Sequence, residues 1–162
     1  MLKNKGQRGF SLIELLIVVA IIGIIAAIAI PNLLASRKAS NEASAISSLR
    51  SFSSAEATYS STVGSGSYGS LTNLTSNNLI DGKLAAAIDV ANAKSGYLFA
   101  INPSAATGGY AAGFTSGAAP ATANGGTRTF AGDESGVIVA NPTAGSVGTA
   151  PNSTAGGTPI GN

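Results

Sequence analysis

Few side chains in this chain could do chemistry, and their types narrow what it does. The sequence has no histidine and no cysteine, which removes imidazole and thiol catalysis, disulfides and the usual transition-metal ligand sets. Seven acidic residues remain, and only Asp133 and Glu134 are adjacent. They sit in a Gly-flanked stretch too poor in oxygen donors for calcium, which takes about six to eight. That stretch reads as a solvated hairpin turn. No catalytic residue, metal ligand set or cofactor-binding motif is found, so the reading is a non-enzyme. One acid stands apart, because Glu14 opens a long apolar run.

Residues 15–30 (LLIVVAIIGIIAAIAI) carry no polar side chain. Extended back to Phe10 the run covers about 21 residues, or about 30 Å of helix, the hydrocarbon thickness of a bilayer. Lys3, Lys5 and Arg8 precede it, which holds the N-terminus in the cytoplasm and sends the C-terminus outward. Three readings fit: a plain membrane anchor, a secretory signal peptide with an A-x-A-like triplet at Ala27-Ile28-Ala29, and a leader cut before the apolar run. Glu14 separates them. A central acid in a membrane helix costs about 2.5 to 3.5 kcal/mol on insertion scales, and such a residue is by default functional, with a partner. An anchor or signal peptide gains nothing from that cost. No basic side chain follows within the span, so the partner must come from elsewhere.

The segment KGQRGFSLIE at residues 5–14, followed by LLIVVAIIGIIAAIAIP, closely resembles the N-terminus of type IV pilins and of the pseudopilins of type II secretion. The resemblance implies cleavage between Gly9 and Phe10 by a prepilin peptidase, and N-methylation of Phe10 by the same peptidase/methyltransferase. It implies storage in the inner membrane and polymerisation with other copies of the chain by a pilus assembly machinery. Glu14 would then pair with the N-terminal amine of a neighbouring subunit. That group is basic, with a reference pKa of about 7.7–8.0. Gly23 and Pro31 are costly in a helix interior, and the resemblance makes them a stretch that loosens in the filament. The implied function is a structural subunit of an extracellular pilus. The alternative is a pseudopilin whose filament stays in the periplasm. The acidic calcium loop common in major pseudopilins is not visible, nor is the disulfide that closes many type IVa pilins, so the branch stays open. Removing residues 1–9 changes nine basic and seven acidic residues to six and seven, a net charge of about −1 that gives no reason to expect a nucleic-acid partner.

The elements that must position these residues follow from periodicity. Residues 1–9 are a leader, 10–34 a hydrophobic transmembrane and assembly helix, and 35–63 its amphipathic continuation. After Pro31, Leu34, Ile46, Leu49, Phe52 and Tyr59 share a face, with Arg37, Lys38, Glu42, Arg50 and Glu56 on others. Arg37 and Lys38 suit contact with lipid headgroups just outside the membrane. Gly64 and Gly66 stop the helix. Residues 64–140 form a globular head: a loop pinned by Leu71, Leu74, Leu79 and Ile80, then four strands near 96–102, 110–115, 127–131 and 137–140. The fold class is α+β, a long helix carrying a small antiparallel sheet, as in pilins. Residues 141–162 are free of charge and aromatics, and read as a flexible or filament-draped tail. Asn73-Leu-Thr75 and Asn152-Ser-Thr154 match the N-glycosylation pattern.

Overall fold

The computed structural model describes residues 9–105, 112–141, 151 and 154–160. Residues 1–8 of the segment expected to be a leader (1–9) lie outside these, as do most of residues 141–162 and the first two residues of the Asn152-Ser-Thr154 triplet. Helix α1 (Leu12–Thr62) runs through two compact units that divide between Ser36 and Arg37. In the first unit the helix contains Gly23 and Pro31 and buries nothing. In the second it carries the head.

Helix α1 ends as a left-handed cap requires. The Val63 and Gly64 amides both donate to the Tyr59 carbonyl, at 3.0 and 2.8 Å, and the Gly66 amide donates to the Ser60 carbonyl at 2.9 Å. Ser65 and Gly66 have φ of 49° and 88°, the region glycine enters without a Cβ penalty. The following segment is more regular than its composition suggests. It forms two short helical turns, α2 (Leu71–Ser76) and α3 (Gly82–Ala85), and a 3₁₀ turn at Val90–Asn92. Each begins at a side chain that caps it, Ser70, Asp81 and Asp89 respectively. Leu74 is fully buried and Leu71, Leu79 and Ile80 pack partly buried against the core, so these residues do pin the segment.

The head is one antiparallel sheet in sequential order, β1 (Tyr97–Ser104), β2 (Gly113–Pro120), β3 (Thr129–Asp133), β4 (Ile138–Asn141) and β5 (Thr158–Pro159). The first four strands lie within a few residues of the expected ones. Register places Phe99 opposite Ala118, and Ala118 and Ala140 each opposite Phe130. That row faces α1, where Ala45, Leu49, Phe52 and Tyr59 meet it in one apolar core. Phe52 packs edge-on to Phe99, with ring centroids 5.8 Å apart.

The fifth strand differs from expectation. Part of the stretch read as a flexible tail is built onto the head: Thr158 and Pro159 pair with β4, the Ile160 amide donates to the Ile138 carbonyl, and Ile160 packs against the core. On the sheet face turned away from α1, Leu98, Ala119, Ala131 and Val139 are nonetheless buried. The tail contributes to that cover. A Cβ on Gly117 would stand 1.8 Å from the Pro151 carbonyl oxygen, and one on Gly157 would stand 2.4 Å from Val139. Composition concealed this because backbone laid on a sheet of small residues needs no large side chains of its own.

Candidate functional site

At the start of α1 three non-helical residues lead into the helix. Gly9, Phe10 and Ser11 are non-helical, and Phe10 is 85% exposed. The Leu15 amide donates to the Ser11 carbonyl at 3.2 Å, closing the first helical bond. The Ser11 amide donates to a carboxylate oxygen of Glu14 at 2.9 Å. Glu14 therefore occupies the third helical position and reaches back to the cap residue, one half of a capping box. A carboxylate there also meets the positive end of the helix dipole, worth about 0.3–1 kcal/mol. The sequence carried the signal as Ser11-Leu-Ile-Glu14, the S-x-x-E pattern that precedes an apolar run. Glu14 thus has a hydrogen-bond donor within its own chain, which reading its cost in lipid alone did not supply.

Beyond Glu14 the helix presents apolar side chains on every side. Large apolar residues from Phe10 to Leu34 range from 44% to 85% exposed. None of the most apolar stretch of this helix is buried within the chain. By length and composition this helix can cross a membrane. Burying an exposed Leu, Ile or Val completely is worth about 1.5–3 kcal/mol, so so large an uncovered surface requires lipid or partner helices. Gly23 has open space where a Cβ would stand, and no contact within the chain demands a glycine there. Pro31 sits inside α1.

Two acids in the second half of α1 lie where the periodicity of the apolar residues does not place them. Glu42 and Glu56, assigned to polar faces, are 6% and 0% exposed. They fall on the core stripe, since Glu42, Ala45, Leu49, Phe52, Glu56 and Tyr59 recur at alternating steps of about three and four. Counting only apolar residues hid them. Glu42 accepts from the Thr127 amide at 2.9 Å and hydroxyl at 2.6 Å, and from the Arg128 amide at 3.3 Å. Its other oxygen takes Arg128 Nε and Nη2, both at 2.8 Å. Burial pushes its pKa up, but the Thr127 bonds and the Arg128 guanidinium outweigh burial and hold it below the usual carboxylate range. Glu56 accepts from the Gly69 amide at 2.8 Å, while its second oxygen has no partner. Burial raises its pKa, only partly opposed by the Gly69 bond.

Among the described residues no three His, Cys, Asp or Glu side chains gather as a metal site. Asp133 accepts from the Ser135 amide at 3.0 Å and from the Thr154 hydroxyl at 3.1 Å. It shapes the turn between β3 and β4 and ties down the tail.

Residues 4–30 match the family model described as the prokaryotic N-terminal methylation motif. The match spans Gly9, Phe10 and Glu14. Over 38 residues the chain is 63% identical to the type IV wide pilus major component of Thermus thermophilus, covering 24% of this chain and 29% of that one. The N-terminal segment of this chain is similar to that of type IV pilins. A type IV major pilin protein of Myxococcus xanthus is 48% identical over 56 residues, covering 35% of this chain and 26% of the relative. A fimbrial protein of Pseudomonas aeruginosa is 79% identical over 28 residues, or 17% and 18% of the two chains. The matched segment therefore spans under a third of the length of these relatives, and the pilin likeness lies in α1 and its approach. No solved structure matches the chain. A long N-terminal apolar helix followed in the chain by a small antiparallel sheet is the α+β arrangement expected from the resemblance to pilins.

Proposed function

We propose that this chain is a structural subunit of a type IV pilus-like extracellular filament. One observation carries the proposal: the segment shared with pilins is apolar around its whole circumference and opens on a carboxylate, Glu14. In this reading the precursor sits in the inner membrane through residues 10–34, with its head outside. A prepilin peptidase cuts between Gly9 and Phe10, where the chain is non-helical and exposed, and Phe10 is then N-methylated. Assembly transfers the helix from lipid to a bundle of identical helices. Apolar area supplies adhesion there, but lipid offers nearly as apolar a surround, so registry needs a directional contact. Glu14 provides it by pairing with the new Phe10 amine of a neighbouring copy, and its bond to the Ser11 amide holds it at the helix start until then. Losing one partner of a buried ion pair costs about 3–5 kcal/mol, enough to disfavour a misplaced subunit. Gly23 and Pro31 let the intervening helix loosen as the filament extends.

Cells expressing the chain are sheared and the released filaments probed for it. The proposal predicts the chain in the sheared fraction, and its loss with Glu14→Gln while the cut form persists in the membrane. A piliated cell whose sheared filaments lack the chain would favour a periplasmic pseudopilus. Normal filament yield from Glu14→Gln would remove the ion-pair role.

A further inference from the structure

The head carries a polar cleft of about 340 Å³ whose walls include Arg37, Asn41, Ser95, Thr122, Asn124 and Gly125. We propose that this cleft binds the phosphate group of an anionic membrane lipid, seated on Arg37. The lining explains why an anion suits it. Its one charged side chain is Arg37, and the rest of the named wall is hydroxyl, amide and backbone. The ion pairs among the described residues are Glu42–Arg128 and Lys94–Asp81, so the nearest acid along the helix, Glu42, is spent on Arg128. Lys94, next to Ser95, already faces Asp81 at 3.6 Å. Arg37 keeps an unneutralised charge, with Lys38 beside it.

The cleft is also shaped in advance. The Asn41 side-chain amide donates to the Gly125 carbonyl at 2.9 Å, and the Gly125 amide donates to the Thr122 carbonyl at 2.9 Å. These bonds fix the 122–125 turn against α1. Ser95 and Gly96 turn through left-handed φ of 50° and 73° on the other side. A guanidinium offers a phosphate two parallel charge-assisted bonds, which a lysine cannot do. Arg37 follows Leu34, the last large residue of the apolar run, by about 4.5 Å of helix rise. On the reading that this run spans the bilayer, that is headgroup depth, which selects a lipid phosphate as the occupant.

The full-length chain is reconstituted in vesicles of mixed phosphatidylglycerol and phosphatidylcholine, extracted in mild detergent, and its retained lipid quantified by mass spectrometry. Wild type is expected to retain the anionic lipid in excess of its share in the vesicle. Lys38→Gln loses the diffuse attraction of one surface charge, about fivefold. Arg37→Gln loses that and the directed bonds, at least about tenfold more. Thr122→Leu, an exposed position, fills the cleft without altering charge and is expected to remove the same directed excess. Equal losses from Arg37→Gln and Lys38→Gln, or no effect of Thr122→Leu, would reduce the binding to diffuse electrostatics and overturn the site. Displacement of the lipid by an equal concentration of inorganic phosphate would overturn its assignment to a headgroup. A chain removed from the vesicles by alkaline extraction would contradict the membrane-spanning reading instead, so the two failures are distinct.

Discussion

Glu42 offers the sharpest test of how the head is held to α1. In Glu42→Gln the amide oxygen can still accept from Thr127, while the pair with Arg128 is lost. Hydrogen bonds to charged groups are worth about 1.5–3 kcal/mol each. They cannot be summed here, because the Arg128 side chain is 45% exposed and water replaces part of what it loses. The net expectation is a loss of about 1–2 kcal/mol. Glu42→Ala also strands the Thr127 and Arg128 amides, and should cost about 3–4 kcal/mol, within the range for breaking a buried pair. Arg128→Gln on its own should cost under about 1 kcal/mol, and the Glu42→Gln/Arg128→Gln cycle should show about 1 kcal/mol of coupling. The assay is urea unfolding of the full-length chain in detergent, followed by near-ultraviolet circular dichroism. There is no tryptophan, and all four tyrosines lie beyond residue 58, so the signal reports the head and not the apolar helix. The sign with pH is fixed as well. A carboxylate whose folded pKa is depressed contributes stability that is present above its unfolded pKa and lost as pH falls through its folded pKa. Wild type should therefore lose more stability than Glu42→Gln on acidification below the ordinary carboxylate pKa. A coupling under about 0.3 kcal/mol, the usual error of additivity, together with parallel pH curves, would refute a stabilising role for the Glu42–Arg128 pair.

Glu56 should behave in the opposite sense. Its folded pKa is raised, so its contribution is fully present below the unfolded pKa and fades as pH rises through the folded value. Glu56→Gln, which keeps an acceptor for Gly69, should flatten that decline when unfolding midpoints are compared across pH. Phe52→Ala opens the centre of the core beside Phe99 and should cost about 3–5 kcal/mol by urea unfolding. Gly117→Ala forces the Pro151 backbone away from β2, since 1.8 Å leaves no room for a methyl. A cost of about 1–3 kcal/mol should accompany faster proteolysis of the tail, and unchanged proteolysis would show that the tail is not seated there.

Much of this molecule was legible because its strongest signals are long or periodic. The apolar run, its basic approach and Glu14 needed no structure to be picked out, and the alternation of Tyr97, Phe99 and Ile101 placed the first strand. What was missed turns on polar groups whose partners are distant in sequence. Glu42 meets Thr127 and Arg128 some 85 residues away, and no local pattern marks that encounter, although the heptad-like stripe through Glu42 and Glu56 shows that both face inward. The capping bond of Glu14 is local, and the S-x-x-E pattern of residues 11–14 encodes it. The tail misled through composition. Gly, Ala, Ser and Thr offer little to bury, but Ala119, Ala131 and Gly117 make a face that extended backbone can approach closely. The conformation of such a segment depends on its receptor, which its own sequence does not encode.

In the proposed assembly, a cut before the apolar helix creates an amine for Glu14 to meet. Intact mass spectrometry of the chain recovered from sheared filaments tests it directly. The expected species begins at Phe10 and carries one added methyl group on its N-terminal nitrogen. A chain that begins at Met1, or one cut after the apolar run near Ile30, would have no such amine at the helix start and would rule out this pairing.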